Sequence, residues 1–204
     1  WLGTNYGLIC FDPEKGIFSE VLIADSLNPA SLTDNFISNI IPDENGFFWV
    51  LSQESIRLFD PLQKYMQINS LVENINMSKV TTILKASNND YWFGTIRGLY
   101  NINLKDSIYF KLVDKLNEHN FLNSAFISCL CEDLKKNLWI GTNTGTYCYD
   151  PIKKEIKSSQ NNSLRYGAVS DIAEDENGRI WVLSNNKGLN IYNSKNGKLI
   201  SYTR

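Results

Sequence analysis

The sequence has 204 residues, 43% of them hydrophobic, and its 22 acidic and 20 basic residues give a formal charge of -2. This composition is that of a folded globular chain and excludes disordered and collagen-like proteins. Because the charges are scattered along the chain, we expect no nucleic-acid binding. No apolar run approaches the ~18 residues that span a bilayer, so we expect no direct membrane insertion by this segment.

Tryptophan recurs at a nearly constant interval along the chain. Successive tryptophans are 48, 43, 47 and 42 residues apart, with a mean of 45. Each one opens a similar phrase, in which an apolar residue, then Gly or Leu, then Thr or Ser follow. The phrases begin at Trp1, Trp49, Trp92, Trp139 and Trp181. A period of this length is typical of the four-stranded blades of β-propellers.

Each unit is predicted to contain four short strands in chain order. The first carries two apolar anchors three residues apart, and the second carries the tryptophan. The anchor pairs are Ile37 and Ile40, Val80 and Ile83, Ile127 and Leu130, and Val169 and Ile172. The third strand ends in Asp-Pro at 12–13, 60–61 and 150–151, and a fourth short strand follows, as at 65–68 and 108–112.

The turns between the first two strands are polar. Residues 43–46 and 175–178 end in Asn-Gly, which supplies the positive φ of a tight hairpin. The turns at 87–90 and 133–136 use poorer turn residues. Carboxylates recur at this place, and we interpret them as turn formers and not as an acid/base pair. They are Glu132, Asp133, Glu174 and Asp175.

The pattern predicts an all-β fold, a β-propeller of four-stranded antiparallel blades with about four to five blades present. We place the blade units at about 1–23, which lacks its first strand, and at 34–68, 79–112, 124–158 and 166–203. Since most closed propellers of this type have more blades, we expect a fragment of a larger one, with apolar sheet faces open to self-association. The tryptophan rings are expected to fill the space between one sheet and the next.

The anchor pair, the acidic Asn-Gly turn, Trp-Ile-Gly-Thr and the Tyr-Asp-Pro strand end resemble the two-component regulator propeller repeat. The segments 26–35 (Ser-Leu-Asn-Pro-Ala-Ser-Leu-Thr-Asp-Asn) and 160–164 (Gln-Asn-Asn-Ser-Leu) are similar to linkers between blades in hybrid two-component sensors. The resemblance implies the periplasmic sensor region of an inner-membrane histidine kinase, in which seven-bladed propellers detect oligosaccharides. It also implies partnership with the rest of the sensor, a homodimer formed through it, and no kinase part in this chain.

Ligand recognition is expected on the loops that join the fourth strand of one blade to the first strand of the next. These connections span about 24–35, 69–78, 114–124 and 158–167. Carbohydrate recognition needs planar polar groups beside an aromatic face, and the candidates are Asn74, Asn76, His119, Asn120, Phe121, Arg165 and Tyr166. Asn-rich loops also arise from turn chemistry alone, so a purely turn-forming role stays open.

We predict a binding function without catalysis. The chain has one histidine, His119, and general acid/base chemistry needs a base with an orienting partner or a metal. Cys10, Cys129, Cys131 and Cys148 lack zinc-site spacing, so we expect no metal and no cofactor, with the cysteines as small buried apolar residues. Two alternatives stay open: a structural or dimerising segment of the same sensor without its own ligand site, and a propeller lyase or hydrolase.

Overall fold

The described part of the chain is built only from β-strands and turns. A computed structural model describes residues 1–43, 45–53, 55–67, 80–103, 108–111, 125–157 and 167–203. The strands form five antiparallel sheets, and in each sheet neighbours in sequence are neighbours in space. The prediction of an all-β fold with four-stranded antiparallel blades is therefore confirmed.

Blade 1 has three strands, and blades 2 to 5 have four each. Blade 1 contains β1 (Leu2–Thr4), β2 (Gly7–Asp12) and β3 (Ile17–Leu22); blade 2 contains β4 (Ile37–Pro42), β5 (Phe48–Ser52), β6 (Ile56–Asp60) and β7 (Tyr65–Gln67). Blade 3 contains β8 (Val80–Lys85), β9 (Tyr91–Thr95), β10 (Gly98–Asn103) and β11 (Ile108–Lys111). Blade 4 contains β12 (Ile127–Glu132), β13 (Leu138–Thr142), β14 (Thr146–Asp150) and β15 (Glu155–Lys157); blade 5 contains β16 (Val169–Glu174), β17 (Arg179–Ser184), β18 (Gly188–Asn193) and β19 (Leu199–Tyr202).

The chain divides into two compact units, Trp1–Val80 and Thr81–Arg204. Blades 1 and 2 belong to the first unit. Blades 3 to 5, apart from Val80, belong to the second. In each unit, the apolar faces of successive sheets pack on one another and form the core.

Three tryptophan rings pack against an aromatic ring of the next blade, two of them edge-on and one tilted. Trp1 lies against Phe59 with ring centroids 4.8 Å apart, Trp92 against Tyr149 at 5.7 Å, and Trp139 against Tyr192 at 5.8 Å. In each case the partner is the next-to-last residue of the third strand. Tilted and edge-on pairs are the arrangements that aromatic quadrupoles favour. The predicted packing role is thus confirmed for these three tryptophans.

The glycine of the tryptophan phrase allows the next blade to approach closely. A Cβ atom at Gly94 would lie 2.6 Å from Cγ2 of Ile127, and one at Gly141 would lie 2.9 Å from Cγ1 of Val169. Ile127 and Val169 are the first anchors of blades 4 and 5, and both are buried. The glycine and the anchor therefore form one contact between successive sheets, which explains why they recur together.

The threonine that follows this glycine closes the turn into the third strand. Thr142 Oγ1 donates a hydrogen bond to the carbonyl oxygen of Gly145 at 2.8 Å and accepts one from the backbone N–H of Thr144 at 3.1 Å. Thr95 makes the same pair of bonds with Gly98 and Arg97. Since each threonine satisfies two backbone groups, Thr or Ser at this place is a requirement of the turn.

The connection from blade 1 to blade 2 is held by its own side chains. Ser31 Oγ accepts a hydrogen bond from the backbone N–H of Asp25 at 3.0 Å and donates one to the carbonyl oxygen of Asp25 at 2.9 Å. The next residue, Leu32, is buried in the core that blades 1 and 2 share. The Ser-Leu pair of this linker therefore has a structural role, because the serine closes the loop and the leucine fills the core.

Three of the four cysteines lie in blade 4, and none of the four is in a disulfide bond. Cys129 and Cys148 are buried in the core between blades 4 and 5, which confirms their predicted burial. Cys10 and Cys131 are half-buried. Burial raises the pKa of the Cys129 and Cys131 thiols from the ordinary 9.0 to about 11.

We expect Cys129 and Cys131 to be alkylated slowly in the folded chain. Because the thiolate is the reactive form, a pKa about two units higher lowers its population at pH 8 about 100-fold. Iodoacetamide labelling followed by peptide mass spectrometry measures the rate at each site, with the guanidinium-unfolded chain as the reference. Equal rates in the folded and unfolded chains would contradict the expectation.

Candidate functional site

In blades 4 and 5, an aspartate at the first turn holds the tryptophan indole. Asp133 Oδ2 accepts a hydrogen bond from Trp139 Nε1 at 2.9 Å, and Asp175 Oδ2 accepts one from Trp181 Nε1 at the same distance. The other oxygen of each carboxylate accepts two backbone N–H groups of its turn. The hydrogen bonds from Trp181 and the Arg179 backbone hold the pKa of Asp175 well below its ordinary value.

A second carboxylate ties each of these turns to the preceding blade. Glu132, the last residue of β12, accepts hydrogen bonds from Ser87 N at 2.9 Å and Ser87 Oγ at 3.0 Å. Glu174, the last residue of β16, accepts one from the backbone N–H of Leu134 at 2.6 Å. Their interpretation as structural carboxylates is supported, since each caps a turn of the blade before it.

Blade 3 departs from this arrangement at one residue. The aspartates lie six residues before the tryptophan, and six residues before Trp92 the sequence has Ala86. The backbone of the turn is nevertheless the same: Ala86 N donates to Asp90 O at 2.8 Å, as Asp133 N donates to Asn137 O at 2.9 Å. Blade 3 therefore keeps the shape of the turn and lacks its carboxylate.

A cavity of about 260 Å³ lies beside Trp92 where this carboxylate is missing. Its lining includes Ala86, Asn88 and Trp92 from blade 3 and Glu132, Lys136 and Ile152 from blade 4. The lining thus combines an aromatic ring and an apolar side chain with an amide, a carboxylate and an ammonium group. A mixture of apolar walls and a few polar groups is what small-molecule sites present.

The cavity lies at the edge of the sheets where the first strand turns into the second and the third into the fourth. Asn88 and Lys136 belong to turns of the first kind, and Ile152 to one of the second kind. The connections predicted to bind ligand begin at the opposite edge. There β11 ends at Lys111, which pairs with Tyr100 near the start of β10.

All seven candidate ligand-binding residues of the sequence analysis lie outside the described residues: Asn74, Asn76, His119, Asn120, Phe121, Arg165 and Tyr166. They stay a prediction. The cavity beside Trp92 was not predicted from the sequence. The signal for it is the alanine at 86, in a place where the other complete units have aspartate. The alanine can be interpreted only when the aspartate at this place in other blades is known to accept a hydrogen bond from the tryptophan indole.

The described residues give no sign of a metal centre or a membrane span. Within them, no three His, Cys, Asp or Glu side chains are grouped as metal ligands would be. The same residues contain no helix with the length and apolar character needed to cross a bilayer.

The sequence model of one family matches two stretches of the chain. This family, Two component regulator propeller, matches residues 122–144 and 163–186. Each stretch runs through the first strand of a blade, its turn and the tryptophan strand. In these two stretches the chain matches the two-component regulator propeller repeat. No curated protein matches it in sequence.

Solved structures share the fold of these regulator-propeller repeats. The extracellular domain of the hybrid two-component system BT3049 from B. thetaiotaomicron matches with a TM-score of 0.79 and 21% identity, covering 100% of this chain and 27% of that domain. PorZ, a surface component of the type-IX secretion system of Porphyromonas gingivalis, matches at 0.71 and 16% identity, covering 98% and 31%. Virginiamycin B lyase from Staphylococcus aureus matches at 0.67 and 13% identity, covering 98% and 63%.

These likenesses establish the fold, because the identities are low. The chain spans about a quarter of the length of the first of those structures. Proteins named for sensing, for secretion and for lyase chemistry share the blades, so the blades by themselves do not specify a function.

Proposed function

We propose that this chain is a non-catalytic, ligand-binding propeller segment of an extracytoplasmic two-component sensor that responds to oligosaccharides in the periplasm. The observation that carries the proposal is the match of residues 122–144 and 163–186 to the two-component regulator propeller family. The fold shared with extracellular domains of hybrid two-component systems over 99–100% of this chain agrees with it. The kinase and output parts of such a sensor belong to the proposal and not to the described chain.

The cavity between blades 3 and 4 supports the proposal with a place for a ligand. A cavity with an indole ring beside hydrogen-bonding groups suits a sugar, whose C–H groups contact the apolar wall while its hydroxyls meet the polar groups. Trp92, Asn88 and Glu132 supply these features. The Glu132 carboxylate is held by two donors from Ser87, which supports a binding role over proton transfer.

We expect a cognate oligosaccharide to raise the unfolding temperature of the 204-residue chain. A ligand present at ~100 times its dissociation constant adds about 2.7 kcal/mol to the folded state. The measurement is a thermal-shift titration against a panel of neutral and acidic oligosaccharides. An unrelated protein heated with the same sugars measures the general stabilisation by excluded solutes. If no member of the panel gives a saturable shift beyond that control, the proposed function is wrong.

A second candidate function, a structural or dimerising segment, is favoured by one face of blade 1. Leu2, Phe11 and Phe18 on this face are 48%, 37% and 65% exposed. Their counterparts in blade 4 are Ile140, Tyr149 and Ile156, which pack into the core shared with blade 3. An open face built from positions that are covered in another blade suits a further sheet or a second copy of the chain.

A further inference from the structure

In the second unit, blades 4 and 5 use a carboxylate to accept the indole hydrogen. Blade 3 has no such group of its own. Asp133 and Asp175 lie 2.9 Å from the indole nitrogens of Trp139 and Trp181. In blade 3, Trp92 is almost fully buried, and its Nε1 donates to none of the described residues. An acceptor placed in the cavity that Trp92 lines would give this N–H the hydrogen bond that Asp133 and Asp175 give to Trp139 and Trp181.

The position of the missing carboxylate is well defined, because the turn that would carry it is preserved. The residue three positions after Ala86, Asp133 or Asp175 has positive φ in all three blades. These residues are Asn89 (69°), Lys136 (66°) and Gly178 (75°). Asn88 Oδ1 accepts the backbone N–H of Asp90 at 3.1 Å and so replaces one of the contacts that the aspartate makes within its turn. Among the described residues, nothing replaces the contact to the indole.

We propose that the cavity beside Trp92 binds the carboxylate of a small ligand, which takes the place that Asp133 and Asp175 hold in their own blades. The ligand is a sugar acid or another small organic acid whose carboxylate accepts the Trp92 Nε1–H bond. For the sugar-acid case the inference deepens the proposed function and rests on it. The cavity of about 260 Å³ is just below the ~300–1,000 Å³ of most small-molecule sites, which limits the buried part to about one ring.

The charged groups of the cavity fit an anionic ligand of this size. Lys136 lines the cavity and supplies a positive charge. Glu132 is negative, and each of its oxygens accepts one hydrogen bond from Ser87, from N–H and from O–H, which offsets part of its charge. A ligand carboxylate therefore meets the indole N–H and the ammonium group as donors, and hydrogen bonds to an ionised acceptor are stronger than neutral ones.

The test compares acids with matched neutral compounds on the 204-residue chain. Glucuronate is paired with glucose, and propionate with propionamide, in titrations followed by calorimetry and tryptophan fluorescence. We expect each acid to bind at least about tenfold more tightly than its neutral partner, the effect of ~1.4 kcal/mol from one charge-assisted contact. Binding of both acids identifies the carboxylate alone as the ligand group; binding of glucuronate only identifies a sugar acid.

Two substitutions check that the binding occurs in this cavity. Ala86→Asp supplies the carboxylate internally, so we expect a higher unfolding temperature and at least about a tenfold loss of acid binding. Ala86→Ser leaves the space open and is expected to bind like the unsubstituted chain. Lys136→Gln removes the positive charge. It is expected to weaken binding of the acids and to leave the affinity for the neutral compounds unchanged.

The outcomes separate this inference from the proposed function. If propionate and glucuronate bind and no oligosaccharide does, the inference stands and the oligosaccharide function fails. If neutral sugars bind and Ala86→Asp leaves them unaffected, the function stands and the inference is overturned. Equal affinity for acids and neutral partners, or acid binding that Ala86→Asp does not reduce, also overturns it.

Discussion

Asp133→Ala is expected to lower the free energy of unfolding by about 3–5 kcal/mol, because one buried carboxylate is the acceptor for several donors. Asp133 is only 3% exposed. It accepts hydrogen bonds from the backbone N–H groups of Lys135 and Asn137, from Asn137 Nδ2 and from Trp139 Nε1, at 2.8–3.0 Å. Alanine removes all of these bonds and leaves a space that is too polar to collapse without cost.

Urea unfolding measures this loss as a shift of the midpoint at constant slope. Asp12→Ala is the matched control, since Asp12 also accepts two backbone N–H groups, from Glu14 and Lys15, but in an exposed turn. The control is expected to cost no more than about 1 kcal/mol. If the two substitutions cost the same, the hydrogen bonds of the indole-holding carboxylate do not stabilise blade 4.

Phe59→Ala is expected to cost about 3–5 kcal/mol, whereas Phe11→Ala is expected to cost about 1 kcal/mol in the same chain. The two phenylalanines have the same place in the repeat. Each lies directly before the aspartate that ends the third strand of the repeat, which is β2 in blade 1 and β6 in blade 2. Phe59 is fully buried, with the Trp1 ring 4.8 Å away. Phe11 is 37% exposed and contacts Phe18 of its own sheet.

This pair is its own control, because residue type, strand and repeat position are matched and only the covering blade differs. Unfolding in urea, with circular dichroism as the signal, compares both variants with the unsubstituted chain. A small loss for Phe59→Ala would contradict the packing described for blades 1 and 2. A loss for Phe11→Ala as large as that for Phe59→Ala, growing with protein concentration, would show that a second copy covers blade 1 and would favour the structural function.

The hydrogen-bonded turns also explain why blades with different sequences keep the same shape. Asp60 and Asp150 each accept two backbone N–H groups directly after the third strand, and a residue with positive φ follows at Lys64 and Lys154. These are short-range requirements, so Asp-Pro and a residue that tolerates positive φ recur in the sequence. The predicted ends of the third strand at residues 12, 60 and 150 are confirmed for this reason.

The candidate site was less accessible to sequence reasoning than the fold. Glu132, Asp133, Glu174 and Asp175 were interpreted as turn formers, and their contacts support this. That Glu132 reaches the turn of the previous blade depends on how two sheets stack, which the spacing within one repeat does not describe. The cavity depends on a residue that is absent, and an alanine in a turn has no meaning until the contact it fails to make is known.

The sequence by itself determined the elements that depend on neighbours in the chain: the number and order of strands, the turns and the place of each tryptophan. Period, alternation and turn chemistry are local properties, and local hydrogen bonds enforce them. The tertiary structure alone decided which equivalent positions are covered and which are open. Phe11 and Phe59, or Ala86 and Asp133, differ in their surroundings because burial depends on the sheet stacked against them. That sheet belongs to another repeat, about 45 residues away.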